Sequence, residues 1–521
     1  MTVSRRSFLG LLGGAGLALA GCGGLTETAG QALASRLTLP RPFTVPLPIP
    51  DVARPVRPGR YEVVQRAAQV EIIPGTRTEV WGYAGTFPGP TFDLRRGERT
   101  TIGVRNRLPV PTSTHLHGGV TPPDSDGYPT DLIIPEGGHA SRGHMPETHH
   151  QGARDYVYPL DQPAATLWYH DHRMDFTAPQ VWRGLAGFVL LRDDEEDALP
   201  LPRGDRELPL MICDRSFDED GSFLYPHAPE HAPQQGGGHG GGHGGGHGGM
   251  AAGHDGMAAG VHGDYMEGVE GDVILVNGAP WPVAEVTATR YRLRLLNASN
   301  ARRYRLKLAP GGRFTQIGSD AGLLTAPVVH DEIPLSPGER FDVVVDFSAY
   351  PVGSTVTLVN MLGSGPARNV MRFVVARRAA DDSAVPKTLA RARPAGPAVA
   401  TRVFDFRRTG DVGSAAWTIN GLRYQPGRPL ARPRLGTTER WRFTSDFHHP
   451  VHVHLAHFQV LARNGRSPSA ADAGWKDTVD VRPYEVVDVL ARFDGYRGTY
   501  MLHCHNLEHE DMAMMADFEI V

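Results

Sequence analysis

Apolar and polar positions alternate along much of this chain. Tyr291-Arg292-Leu293-Arg294-Leu295 switches character at every residue, and Phe341-Asp342-Val343-Val344-Val345-Asp346-Phe347 does so in part. A period of two puts every second side chain on the same face of a strand. Leu208-Pro209-Leu210-Met211-Ile212-Cys213 reads as a continuous apolar strand. Turn-forming residues are abundant, with 62 glycines and 43 prolines, whereas long runs of helical period are scarce. The pattern predicts an all-β chain of sandwiches joined by frequent turns.

A weak internal repeat divides the chain. Residues 338–347 (GERFDVVVDF) match 484–493 (YEVVDVLARF) in pattern, and each is followed by a turn and a further strand. In the last unit that strand carries His503-Cys504-His505. In the middle unit it is Leu358-Val359-Asn360, and the first unit ends comparably in Trp168-Tyr169-His170-Asp171-His172. Three units are expected, at 50–195, 205–378 and 401–521. Residues 23–49 read as an N-terminal linker and 379–400, rich in Ala, Pro and Arg, as a second linker. The length of 521 residues suits about three domains, and 40% apolar residues suffice for their cores. A net charge of −4 gives no reason to expect a nucleic-acid partner.

Four short runs carry the chemistry: His115-Leu116-His117-Gly118, His170-Asp171-His172, His449-Pro450-Val451-His452-Val453-His454, and His503-Cys504-His505 followed by His509 and Met514. On a strand, both imidazoles of a His-X-His pair face one way. His503 and His505 therefore face one site and Cys504 another, so a single strand joins two metal centres. Two imidazoles, a thiolate and a weak thioether make a blue-copper electron-transfer site, here His449, Cys504, His509 and Met514. Eight histidines remain, enough for three further coppers with positions left open for oxygen. Structural zinc accounts poorly for them, since it takes four ligands and usually several cysteines, and the chain has three cysteines.

In order and spacing the four runs resemble the signatures of multicopper oxidases. The similarity extends through HLHGGVTPPDSDGYP (115–129), LWYHDHRMDFTAPQVWRGLAG (167–187), WKDT (475–478) and HCHNLEHEDMAMM (503–515). These stretches are similar to spore-coat-type bacterial laccases, phenoxazinone synthase and bilirubin oxidases. The resemblance runs from about residue 55 to the C-terminus, interrupted mainly by an insert at about 227–267. It implies three consecutive cupredoxin-like Greek-key domains and four copper ions: one type 1, one type 2 and two type 3. It makes His115 and His452 the type 2 ligands, and His117, His170, His172, His454, His503 and His505 the type 3 ligands. The trinuclear cluster is then expected between the first and third units, each giving four histidines. Reduction of O2 consumes protons, and in the similar enzymes acids at the positions of Asp126 and Glu510 deliver them. The implied activity is laccase-like: one-electron oxidation of small phenolic, aromatic or bilirubin-like donors coupled to four-electron reduction of O2 to water, by a monomer.

Electrons are expected to enter through an exposed edge of His509 or His449. The thioether of Met514 predicts a low-to-middle type 1 potential, because the axial ligand tunes it. Two other readings compete. A cuprous or other metal oxidase for copper tolerance is one, with a metal ion as donor. A non-enzymatic envelope scaffold is the other, disfavoured because all twelve ligand positions are filled.

Ser4-Arg5-Arg6-Ser7-Phe8-Leu9-Gly10 resembles a twin-arginine export signal, and the apolar run from Phe8 to Ala20 suits its central region. Leu19-Ala20-Gly21-Cys22 resembles a bacterial lipobox. Residues 1–22 are thus expected to be a signal, with Cys22 a lipid anchor holding the exported protein in the periplasm or at the cell surface. Of the other cysteines, Cys504 is a ligand and Cys213 is expected to be a buried free thiol.

Residues 236–266 hold His239, His243, His247, His254 and His262 with Met250, Met257 and Met266 amid glycine. Such composition cannot offset chain entropy, so a mobile loop is expected. Imidazole suits Cu(II) and thioether Cu(I), which makes the stretch a candidate accessory copper collector. His139, His144, His149 and His150 read as an exposed loop. His448 and His457 lie off the ligand pattern, with His448 able at most to compete with His449.

Overall fold

The computed structural model describes residues 29–138, 145–227, 261–410 and 416–521. The expected architecture is present: strands dominate, and the helices are short turns such as Thr177–Trp182 and Leu507–Asp511.

The first unit pairs two four-stranded sheets. One contains Thr78–Tyr83, Arg60–Val70, Thr100–Asn106 and Ala153–Tyr158; the other contains Gly89–Arg95, Ala186–Arg192, Ala165–Asp171 and Thr114–His117. Val63, Ile102, Val104 and Tyr156 from the first sheet meet Phe92, Leu116, Leu167 and Val189 from the second in one core. The third unit repeats the plan. There the sheet that bears copper-type residues is Thr478–Val481, His449–Val453, Gly498–Cys504 and Met515–Ile520.

Each unit contains a parallel pair within a largely antiparallel sheet: Arg60–Val70 with Thr100–Asn106, Glu207–Phe217 with Arg290–Asn297, and Ala398–Thr409 with Thr438–Ser445. Parallel neighbours need a crossover, which is how such a sandwich closes. The two halves of the sequence repeat occupy matching places. Arg340–Asp346 lies antiparallel to Arg290–Asn297, and Val486–Arg492 antiparallel to Thr438–Ser445.

Both linkers are pinned. Gln31–Leu33 pairs in parallel with Val269–Gly271, and Leu37, Leu39, Phe43 and Leu47 pack on the middle core. Farther along, Leu389 is buried and its amide donates to Thr325. Apolar residues at these positions give the segments something to bury, which composition by proline and alanine obscures. Cys213 is buried and unpaired, as expected.

Residues 261–266 also differ from the mobile loop predicted for them. Val261 and Val269 lie in the core of the third unit, and Met266 accepts a hydrogen bond from Trp417 Nε1 at 3.0 Å. The segment is held because its apolar residues cover the third unit. His239, His243, His247, His254, Met250 and Met257 lie outside the described residues, as do Cys22, the signal segment, His139 and His144. His262 is half-exposed, and its Nδ1 accepts from the Asp264 amide. His150 pairs with Asp131 and His149 with Glu147, beside a short parallel ladder.

Candidate metal centre

Strand register assembles the histidines. His170 lies opposite His115 and Trp168 opposite His117; in the third unit, His452 lies opposite His503 and Val451 opposite Cys504. The residues between the paired histidines turn the other way. Leu116 and Val453 enter the cores of their units, and Asp171 accepts from the Ser113 and Arg173 amides.

The eight histidines of the two outer units meet in three buried groups. His172, His454 and His503 form one, with Nε2 of His454 lying 3.2 Å from that of His172 and 3.1 Å from that of His503. His117, His170 and His505 form the second. The Nε2 atoms of His115 and His452 are 3.4 Å apart. A fourth group, on the far side of the Cys504 strand, joins His449, Cys504 and His509. Its Nδ1 atoms are 3.1 Å apart, and Sγ is 3.4 Å and 3.6 Å from them. Met514 is fully buried beside it, its carbonyl accepting from the Cys504 amide and its amide donating to the His509 carbonyl.

The outer nitrogen of nearly every ring is held. His115 Nδ1 bonds the Asp126 carbonyl at 2.5 Å, His170 Nδ1 the Asp171 carbonyl at 2.8 Å, and His452 Nδ1 the Asp477 carbonyl at 2.9 Å. His454 Nδ1 is 2.7 Å from Asp126 Oδ2. Glu510 spans two rings, 3.0 Å from His172 Nδ1 and 3.1 Å from His503 Nδ1. Partners of this kind fix the tautomer and raise ligand basicity. Because Asp126 touches the outer nitrogen of His454, it supports that ligand from behind rather than replacing it.

Burial, followed by the neighbouring imidazoles, holds His115, His117, His454 and His505 well below the usual imidazole range and His170 at about 3. The rings are neutral and their lone pairs available. His117 Nδ1, His170 Nε2 and both nitrogens of His505 are buried without a hydrogen-bond partner in the protein. Burial raises the Cys504 thiol, so only a cation bound there would make a thiolate favourable. Neutral imidazoles, inward-facing orphan nitrogens and one buried thiol fit copper. Burial also pushes Asp126 up to about 7. At Glu510 burial acts in the same direction, but His172 and His503 outweigh it and hold the carboxyl well below its usual range.

Neither His449 nor His509 has the exposed edge expected from the sequence; both are fully buried. Trp417 covers His509, with ring centroids 3.9 Å apart, and Phe447 adds a second contact at 5.9 Å. Asn506 Nδ2 donates to the carbonyls of Glu267 (3.0 Å) and Ala29 (3.3 Å), closing the site with the middle unit and the N-terminal segment. His448 does not compete with His449: its Nε2 is 3.4 Å from Arg303 Nη1, and its Nδ1 is 3.9 Å from Asp480. His457 donates to the Gly118 carbonyl at 3.1 Å. Sequence reasoning missed the roles of Trp417, Asn506, Asp477 and Arg340. Asn506, Asp477 and Arg340 lie within HCHNLEHEDMAMM, WKDT and GERFDVVVDF, but those stretches gave them no role, and Trp417 had no signal.

The geometry defines a three-domain copper redox protein in which one strand joins a thiolate centre to a three-metal cluster. Comparison with known proteins agrees. Sequence profiles described as multicopper oxidase match residues 65–196, 242–370 and 398–521. The chain is 34% identical to a laccase of Bacillus subtilis (strain 168), over 92% of this chain and 98% of that one. It is 34% identical to the bilirubin oxidase of Albifimbria verrucaria, over 91% and 81%. A solved multi-copper oxidase from Pediococcus acidilactici superposes with a TM-score of 0.77 at 31% identity, covering 94% of this chain and 93% of that one. The chain belongs to the multicopper oxidase family, and its cofactors are the type 1, type 2 and two type 3 copper ions of that family.

Proposed function

We propose that the protein is a laccase-type oxidase taking electrons singly from small phenolic or other aromatic donors and using them to reduce O2 to water. The observation that carries this reading is the Cys504 strand. Cys504 belongs to the thiolate group, while its neighbours His503 and His505 belong to different three-histidine groups of the cluster. Bound copper supplies one-electron chemistry at the first centre and O2 reduction at the second. The chain supplies the rest. Trp417 and Phe447 cover His509 and exclude water, so donors deliver electrons across an aromatic cover. Asp126 and Glu510 touch the cluster histidines from outside; Asp126 is the one placed to hold a proton for delivery to oxygen, and the ionised Glu510 accepts and passes protons on. Both halves of the cluster lie in one chain, which supports action as a monomer. The test is oxygen uptake by copper-loaded protein with 2,6-dimethoxyphenol and no added copper. Consumption of four donor electrons per O2 without peroxide supports the reading; failure to oxidise any phenol removes it.

A second reading, a cuprous or other metal oxidase, is favoured by one observation. The described residues flanking the His- and Met-rich stretch sit at the thiolate centre. Tyr225 donates to Glu508 at 2.9 Å, His227 bridges Val261, and Met266 and Glu267 receive bonds from Trp417 and Asn506. Cu(I) outpacing the phenol in the same assay selects this reading.

The signal and lipobox resemblances support export by the twin-arginine route and anchoring at Cys22, in the periplasm or at the cell surface. Cys22→Ser should move the protein from the membrane to the soluble fraction; unchanged fractionation excludes the anchor.

A further inference from the structure

Among the described residues the middle unit contributes none to the four groups, yet it reaches the cluster. The turn between Glu332–Leu335 and Arg340–Asp346 sets Gly338 against two ligand rings. Its φ is +84°, and a Cβ there would lie 3.1 Å from His117 Cε1 and 3.1 Å from His505 Cδ2. Only glycine fits that backbone and that gap.

Two residues on, Arg340 is fully buried and all five of its N–H groups are used. Nε donates to the Thr166 carbonyl at 2.9 Å, which ties in the first unit. Nη1 donates to Gly338 O at 2.9 Å and Nη2 to Asp320 O at 3.0 Å. The remaining two form a fork onto Asp477 of the third unit, at 2.7 Å and 2.5 Å. Asp477 Oδ1 in turn accepts from His117 Nε2 at 3.0 Å, with Thr478 Oγ1 at 3.1 Å. Gly118 leaves room for this knot, since a Cβ on it would fall 2.6 Å from Arg340 Nη2.

The consequence is a choice of ring nitrogen. His115, His170, His172, His452, His454 and His503 all turn Nδ1 outward to a carbonyl or carboxylate. His117 is reversed: Nε2 is held outside, and buried Nδ1 is left without a partner. A planar fork holds a carboxylate in one orientation, whereas an ammonium does not.

We propose that Arg340 is a positioning residue of the middle unit which, through Asp477, sets the tautomer and orientation of His117 and so the copper occupancy of the His117/His170/His505 group. The consequence for copper rests on the oxidase reading above; the tautomer does not.

Arg340→Lys keeps the charge and removes the fork. In copper-free protein, nitrogen NMR should show His117 protonated at Nε2 in the parent chain and a mixture of tautomers in the variant. In copper-loaded protein, R340K should hold one copper fewer per chain and show a new paramagnetic signal from an uncoupled type 3 ion. The blue absorption of the thiolate centre should be unchanged. Asp477→Asn, which breaks the fork from the other side, should lose the same copper and decides the matter if R340K does not fold. Folded variants with full copper and a silent type 3 pair overturn the proposal, as does parallel loss from both centres. An unaltered tautomer in copper-free R340K overturns it even if the oxidase reading fails.

Discussion

Trp417 lies over His509, ring centroids 3.9 Å apart and planes inclined by 32°. The indole is held there by its Nε1 bond to the Met266 carbonyl. Trp417 is itself buried, so it is an inner layer of the cover over the thiolate centre. Trp417→Ala should uncover His509 and raise kcat/KM for bulky phenols more than for small ones, at a stability cost of about 3–5 kcal/mol. Trp417→Phe should keep the cover and cost only about 1 kcal/mol through the lost hydrogen bond. Equal effects on large and small donors in steady-state kinetics would show that donors reach the centre elsewhere.

Asp126 bonds His454 Nδ1 at 2.7 Å, on the side of the ring away from His172 and His503. Asp126→Asn keeps an acceptor for that ring but has no proton to deliver. Loss of a general acid costs about 10²–10⁴ in rate, so kcat should fall by that order while the blue absorption and its rate of bleaching by donor persist. A variant with normal kcat would move proton delivery away from Asp126.

Much of this site is legible in the sequence because its signals are local. A His-X-His pair on a strand declares its own face, and the interposed residue declares the opposite one. The parallel places of residues 338–347 and 484–493 follow from the same local patterning. What stays hidden depends on contacts across the chain. Arg340 meets Asp477 from 137 positions away, in a unit whose described residues belong to none of the four groups. Trp417 reads as an ordinary core tryptophan until His509 is placed beneath it. Residues 261–268 follow a glycine-rich stretch, and their fixed position depends on a surface of the third unit that no nearby residue reveals.

Met514, expected from the sequence to be the weak fourth ligand, is fully buried beside the thiolate group. Met514→Leu should raise the type 1 potential, because an axial thioether is replaced by a hydrocarbon. The parent protein should titrate in the low-to-middle range for the family. Spectroelectrochemical titration that finds the two proteins equal would remove Met514 from the copper.

The first and middle units share a buried ion network. Glu196 contacts Arg292 and lies 2.7 Å from Arg294, while Asp342 and Glu207 complete the cluster. Burial alone would raise the Glu196 carboxyl, but Arg294, Arg292 and Arg192 bring it down to about 2. A carboxylate held below its ordinary value of about 4.3 stabilises the fold fully above that pH. The contribution fades as the pH falls toward 2. Glu196→Gln should cost about 3–5 kcal/mol at neutral pH by stranding buried arginines, and should flatten the acid side of the Tm–pH curve. An unchanged acid limb would mean that this network does not govern acid stability.

Cys504 joins the thiolate centre and the histidine cluster along one strand, as a single circuit requires. The most direct test is anaerobic reduction of copper-loaded protein by a one-electron donor, followed by a pulse of O2, with the blue absorption monitored throughout. Four electrons should be taken up per chain, with full return of the blue absorption after the pulse, water as product, and loss of the whole cycle in Cys504→Ser. Uptake of one electron, with the blue absorption staying bleached under O2 or peroxide released, would contradict a single circuit.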